Sequence, residues 1–281
     1  MMFSELEEIE RASTLFESQH KHGKIVSRIW GTQNVGAGTI VLLHGSFGAW
    51  SHWAKNISRL AHSRKVVAID LPGMGDSDQP PDPISADSMG KLVAESIEQI
   101  LSPKEVFQLV GFSFGGIVGG QSALILEDRI DRFVVIGSNA LDLPIDDRAP
   151  LMKPSSLMTD NELREVHRHN LGVFMFGNNA KIDDMALDLQ TINTRKARTR
   201  SGLIPQGGSL KEALKKMRIP VRGIWGEKDA TAGRFLNERR QLFETLPHCQ
   251  AFTVIPGAGH WAAYEEPDKV NAILLEKGPH R

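Results

Sequence analysis

The chain of 281 residues has a single cysteine, Cys249, so it can form no internal disulfide and assemble no cysteine-based zinc site, which suits a reducing compartment. It also lacks an excess of either charge: 33 Lys and Arg against 34 Asp and Glu leave a net charge of -1. Nucleic-acid recognition needs a basic face, and no strongly basic stretch of domain size supplies one. Long apolar runs are missing as well, every one falling far below the roughly 20 residues of a membrane-spanning helix. The first nine residues carry Glu5, Glu7 and Glu8 where an export signal would need positive charge and then an apolar run. These absences lead to the expectation of a cytoplasmic globular protein whose partner is a small molecule, with neither nucleic acid nor membrane involved; a homodimer stays open. A hydrophobic share of 41% with 24% charged residues excludes a disordered chain. At roughly 150 residues per domain, the length allows two domains or one large α/β domain with an insertion.

What is present is a series of short Val- and Ile-rich runs stopped by Gly or Pro: 39–43, 65–69, 106–110, 132–136, 221–225 and 251–255. Continuous rather than alternating apolar runs predict strands buried on both faces, as in a parallel sheet covered by helices. Residues 14–30 read as a polar antiparallel pair turning near His22-Gly23. Helical periodicity lies between the runs, most clearly at 85–101, where Met89, Leu92, Val93, Ser96, Ile97 and Ile100 share a face. Further helix patterns are expected at 233–246 and 267–275. The alternation predicts a doubly wound, mostly parallel α/β sheet. Between 140 and 214 the rhythm breaks: no strand run occurs, and helical stretches are expected at 160–170, 172–176 and 182–200. So long a structureless loop is improbable inside a domain, so these residues are expected to form a helical cap. The core is then 1–139 with 215–281, and the cap 140–214.

Four loops that follow predicted strands carry the chemistry-bearing residues, and loops in that position share one crevice. Gly111-Phe112-Ser113-Phe114-Gly115 reads Gly-x-Ser-x-Gly between a strand and a helix, the pattern of a nucleophile elbow. His44-Gly45-Ser46-Phe47-Gly48 is expected to complete an oxyanion hole, with one donor from Ser46 or Phe47 and the other from Phe114. His44 itself is expected to hold the loop. Gly226-Glu227-Lys228-Asp229 supplies Asp229 to orient a base. Gly257-Ala258-Gly259-His260 supplies His260, the one histidine of ten in a Gly-rich loop after the last strand, placed to relay a proton from Ser113.

With Asp70-Leu71-Pro72-Gly73-Met74-Gly75-Asp76-Ser77 added, these motifs resemble the α/β-hydrolase superfamily over roughly residues 24–278, and the order Ser, Asp, His is that of its triad. The resemblance implies a cofactor-free, metal-free enzyme, with Asp142, after the fourth strand, as the fallback acid. Serine at the elbow argues against haloalkane dehalogenases and epoxide hydrolases, whose nucleophile there is aspartate. Trp53, Asn56 and Gly259-His260-Trp261-Ala262 are similar to the meta-cleavage product hydrolases, which cut carbon–carbon bonds. That subfamily usually reads Gly-Pro-Gly after the loop serine, where this chain has Phe47-Gly48-Ala49, and Gln190 falls near the position of its cap arginine, with Arg195 close by. The leading expectation is hydrolysis of a small ester, thioester or lactone; the alternatives are carbon–carbon hydrolysis, a ligand sensor with a residual triad, and a cofactor-free oxygenase. Phe112, Phe174, Met175, Gln190, Arg195 and Trp261 are the expected pocket residues. The basic run from Arg195 to Arg200 is read as a solvated helix face, with a substrate-carboxylate site as the alternative. Cys249 reads as a small core residue.

Overall fold

A computed structural model describes residues 3–34, 36–155, 157–199 and 207–276. Eight strands form one sheet: β1 (Thr14–His20), β2 (Gly23–Trp30), β3 (Thr39–Leu43), β4 (Lys65–Ile69), β5 (Phe107–Phe112), β6 (Ile130–Ile136), β7 (Val221–Gly226) and β8 (Cys249–Ile255). Their order is β1-β2-β4-β3-β5-β6-β7-β8. The pairings β1·β2 and β2·β4 are antiparallel and all others are parallel. This is the mostly parallel doubly wound sheet expected from the apolar runs.

The helices are α1 (Phe3–Arg11), α2 (Ala54–Ala61), α3 (Ala86–Ile100), α4 (Phe114–Ile125), α5 (Asp160–Phe174), α6 (Asp184–Lys196), α7 (Ser209–Lys216), α8 (Leu236–Glu244), α9 (Ala262–Glu265) and α10 (Pro267–Leu275). Alternate residues of a strand face opposite sides of a sheet, which divides the interior into two clusters. Val41, Leu43, Phe107 and Leu109 face one side with α3, α4, α7 and α8. Ile40, Leu42, Val110 and Phe112 face the other with α2, α9 and α10, and Leu171, Leu187 and Leu189 from α5 and α6 join that cluster. Of the helices between β6 and β7, α5 and α6 are thus tied to this face and α7 to the other.

Several elements differ from the sequence reading. The antiparallel pair at 14–30 is polar on β1 only, because β2 lies between β1 and β4 and is largely buried. The stretch 172–176 is not a separate helix: α5 runs unbroken to Phe174. The helix expected to reach residue 200 ends at Lys196, where Ala197 turns extended and the N–H groups of Arg198 and Thr199 donate to Gly73 O at 2.8 and 3.0 Å. The short helices α1, α2 and α7 escaped notice because eight or nine residues are too few for a 3.6-residue period to stand out. Residue 214 lies inside α7, whose Leu210, Ala213 and Leu214 pack in the core cluster with Phe133. No helix among the described residues is long and apolar enough to cross a membrane.

Candidate active site

The strand order reverses between β3 and β5, the position at which an open α/β sheet forms a crevice beyond its carboxyl ends. Ser113 is the residue between β5 and α4, and it adopts φ 51° and ψ -117°, a conformation costly for a non-glycine residue. Its N–H donates to Ile136 O at 2.8 Å, which holds the elbow against β6. The glycines around it are dictated by close approach: a Cβ on Gly115 would sit 2.4 Å from the carbonyl oxygens of Leu43 and His44. This lets α4 begin directly against the end of β3, and a Cβ on Gly45 would lie 3.2 Å from Ser113 Cβ. The two glycine-rich loops are therefore in contact.

The three expected catalytic side chains meet. His260 Nε2 is 3.0 Å from Ser113 Oγ, and His260 Nδ1 is 3.0 Å from each carboxylate oxygen of Asp229. Asp229 Oδ1 also accepts from the Thr231 N–H and hydroxyl, both at 2.8 Å. His260 and Asp229 are each 1% exposed, whereas Ser113 is partly open. Burial alone would push the Asp229 carboxyl up, but attraction to His260 and the bonds from His260 and Thr231 outweigh it and hold the group below its ordinary range. With Nδ1–H engaged by a carboxylate, Nε2 is left as the acceptor facing the serine hydroxyl. That pairing can take the hydroxyl proton as Oγ attacks an electrophilic carbon and return it to a leaving group.

Phe114 is the first residue of α4, so its N–H is among those a helix leaves without an internal partner. Phe47, at φ 53°, is the exposed tip of the facing loop, with Ser46 half-buried beside it. An oxyanion hole needs backbone donors aimed where negative charge develops, and the two loops that meet at Ser113 are the ones carrying these three amides.

His44 lies below this loop. Its Nε2 accepts from Leu71 N–H at 2.9 Å and its Nδ1 donates to Gly45 O at 2.7 Å, so both nitrogens hold backbone. His52 escaped the sequence reading; its buried ring lies 4.9 Å from Trp261, 5.8 Å from Phe112 and 5.9 Å from His44. Only its nearness to the His44 loop hinted at a place here. Burial, reinforced by the neighbouring His44 and His260, pushes the His52 pKa well below the usual histidine value, and burial lowers that of His44 to about 4. Asp70 accepts from Trp50 and Asp76 N–H groups at 2.7 and 2.9 Å, and burial raises its pKa to about 6.

These shifts act oppositely on stability. Between pH 6.5 and about 4 the unfolded chain protonates His44 while the folded chain does not, so stability falls as pH drops through that window. Between about 6 and 3.8 the folded chain protonates Asp70 first, which favours folding as pH drops. Each effect is on the order of 3 kcal/mol. An Asp70→Asn variant, neutral at every pH, should therefore lose stability between pH 6.5 and 4 more steeply than wild type, by up to about 3 kcal/mol in urea unfolding. Equal slopes would rule out the raised Asp70 pKa.

Two of the expected pocket residues reach His260: the Phe112 and Phe174 rings lie 5.1 and 5.0 Å from its ring. Met175 and Trp261 are buried, and the Trp261 N–H donates to Met175 O at 2.8 Å while its indole N–H donates to His52 O at 3.0 Å. Gln190 is half-buried on α6. Arg195 is not at the site: its side chain is 63% exposed and its guanidinium reaches Asp160 at 3.4 Å. Residue 195 stands about 200° around α6 from the buried Asn193, on the outward face. Lys196 pairs with Asp76 at 2.6 Å and Arg198 binds Ser77 O, so this part of the basic run fastens α6 to the loop after β4; Arg200 lies outside the described residues. Asp142 is exposed and pairs with Lys211 at 3.0 Å, leaving Asp229 as the acid on His260. Cys249 is half-buried on β8, and burial raises its thiol pKa.

A sheet of this order with a serine, a histidine and an aspartate at its crevice defines the α/β-hydrolase class, and the chain belongs to the alpha/beta hydrolase family, whose model matches residues 40–273. It is 27% identical over 266 residues to a 2-hydroxy-6-oxononadienedioate/2-hydroxy-6-oxononatrienedioate hydrolase of Paraburkholderia phymatum, covering 86% of this chain and 88% of that one. It is 26% identical to a pimeloyl-[acyl-carrier protein] methyl ester esterase of Pectobacterium carotovorum, covering 85% and 93%. Among solved structures it is similar in fold to a carboxylesterase of Bacillus subtilis, with a TM-score of 0.74, 18% identity and coverage of 97% and 95%.

Proposed function

We propose that this hydrolase cleaves a small, uncharged ester, thioester or lactone by an acyl-enzyme route without a cofactor. The observation that carries the reading is the unbroken relay from Ser113 Oγ through His260 to Asp229, at 3.0 Å per step. In this reading Ser113 attacks the carbonyl carbon, and His260 takes the hydroxyl proton and returns it to the departing alcohol, thiol or lactone oxygen. Amides at Phe114 and at Ser46 or Phe47 receive the tetrahedral oxyanion, and water activated by His260 then releases the acid. Support for an uncharged substrate comes from the surroundings of His260. Phe112 and Phe174 lie against its ring, His52 is disfavoured as a cation, Arg195, Lys196 and Arg198 are engaged elsewhere, and the Arg148 guanidinium is stacked over Phe174 at 4.9 Å.

The relatives favour a second reading, carbon–carbon hydrolysis of a ring-fission product, whose dienoate carries a carboxylate. The two readings separate in one assay. Short-chain p-nitrophenyl esters are expected to give a kcat/KM at least about 100-fold above that for a 2-hydroxy-6-oxo-dienoate, since the Phe112 and Phe174 rings beside His260 offer a carboxylate no hydrogen bond. The reverse preference would reject the ester reading in favour of the second.

A further inference from the structure

Three backbone N–H groups from two distant parts of the chain converge on one buried carboxylate. Glu265, 5% exposed at the end of α9, accepts from Gly259 at 2.7 Å and Gly177 at 2.9 Å through Oε2, and from Asn178 at 2.8 Å through Oε1. Gly259 directly precedes His260, while Gly177 and Asn178 closely follow Phe174 at the end of α5. The two segments pass backbone against backbone: a Cβ on Gly259 would lie 2.3 Å from Gly177 N, and one on Gly177 would lie 2.5 Å from Gly257 O. Glu265 therefore joins the segment carrying Phe174 to the loop carrying His260, and those two rings are in contact at 5.0 Å.

We propose that Glu265 is a positioning residue for His260, fixing the catalytic ring through the Gly259 amide and through the Phe174 segment that packs on it. The proposal rests on the reading of Ser113 and His260 as a hydrolytic pair, and Glu265 itself touches neither. Three donors facing one side chain call for a group that only accepts, which an ionised carboxylate is; a glutamine would turn its own N–H groups toward at least one of them. The Trp261 N–H, donating to Met175 O at 2.8 Å, is a second tie between the same two segments. An open cleft of about 610 Å³, lined by Gly177, Asn178, Lys181 and Lys228 among others, lies beside their junction. The neighbouring Tyr264 provides an internal control. Its hydroxyl donates to Asp183 Oδ1 at 2.6 Å, and Asp183 caps α6 through Ala186 N–H at 2.9 Å. Tyr264 thus also ties α9 to the helices between β6 and β7, but not to Gly259. A role for Glu265 in holding those helices down, and nothing more, would make Glu265→Gln and Tyr264→Phe behave alike.

The test compares wild type, Glu265→Gln and Tyr264→Phe by rate of labelling with a fluorophosphonate, by kcat and KM on p-nitrophenyl acetate, and by the far-downfield proton resonance of the His260–Asp229 bond. Folded Glu265→Gln is expected to be labelled roughly 10- to 100-fold more slowly, with the loss in kcat, KM within about twofold and the resonance weakened. Tyr264→Phe is expected to lower Tm while leaving labelling and the resonance as in wild type. An unchanged labelling rate and resonance in folded Glu265→Gln would overturn the proposal. Failure of the wild type to react with the probe would count against the serine-hydrolase reading instead, and the resonance would still decide the role of Glu265. If Glu265→Gln does not fold, Glu265→Asp, which keeps the charge and withdraws it by one methylene, is judged by the same criteria.

Discussion

Ser113→Ala is expected to lower kcat by about a millionfold and to abolish fluorophosphonate labelling. The size of the effect follows from the arrangement, since among the described residues Oγ is the oxygen hydrogen-bonded to His260 Nε2, at 3.0 Å. Without it the imidazole has no nucleophile to deprotonate, and what is left is binding and the oxyanion donors, which alone give a residual acceleration of about 10³ to 10⁴ over water. The substitution removes one oxygen at a position whose backbone is held by the Ile136 carbonyl, so Tm should stay close to wild type. Turnover above about 1% of wild type by a folded Ser113→Ala protein would show that another group attacks the substrate.

Asp229→Asn is expected to cost about 10⁴ in kcat with the fold intact. Oδ1 of Asp229 already accepts from the Thr231 N–H and hydroxyl. An asparagine must keep its carbonyl oxygen on the Thr231 amide, because that N–H can only donate. Its NH2 group then takes the place of Oδ2, 3.0 Å from His260 Nδ1. That NH2 group opposes an Nδ1–H, even though the retained oxygen also lies 3.0 Å from Nδ1, and the histidine relieves the opposition with a lone pair at Nδ1, which moves its proton to Nε2 and points it at the serine oxygen. The base is then blocked by tautomer rather than by distance. The check is kcat on a p-nitrophenyl ester together with the His260–Asp229 proton resonance, which should vanish. An Asp229→Asn protein retaining about a tenth of wild-type kcat would mean that Asp229 does not set the tautomer.

Much of the sheet was legible because β3 to β7 are apolar runs cut by Gly and Pro, and a strand buried on both faces needs little else to declare itself, while β8, half-buried at the sheet edge, keeps the same apolar run. The triad residues were legible for a related reason: each follows such a run in a glycine-rich or acidic turn, so locating the strands located the loops. The helices between β6 and β7 were read less well. Arg195 has the composition of a carboxylate binder, but its rotation about α6 puts it opposite Asn193 and toward Asp160. Helix phase relative to a neighbour is set by packing, and no local pattern reports it. His52 was overlooked because nothing adjacent in sequence distinguishes it; its importance comes from burial against Trp261 and Phe112.

The sequence by itself determined the strands, their parallel arrangement and the order in which nucleophile, acid and base occur, because these follow from short-range hydrophobic pattern and turn chemistry. Only the tertiary structure decided which charges face the catalytic ring, which histidines are forced neutral by burial, and that Glu265 gathers amides from residues 177, 178 and 259. Those outcomes depend on contacts between residues far apart in the chain, and on desolvation that exists only once the two sides of the crevice have closed together.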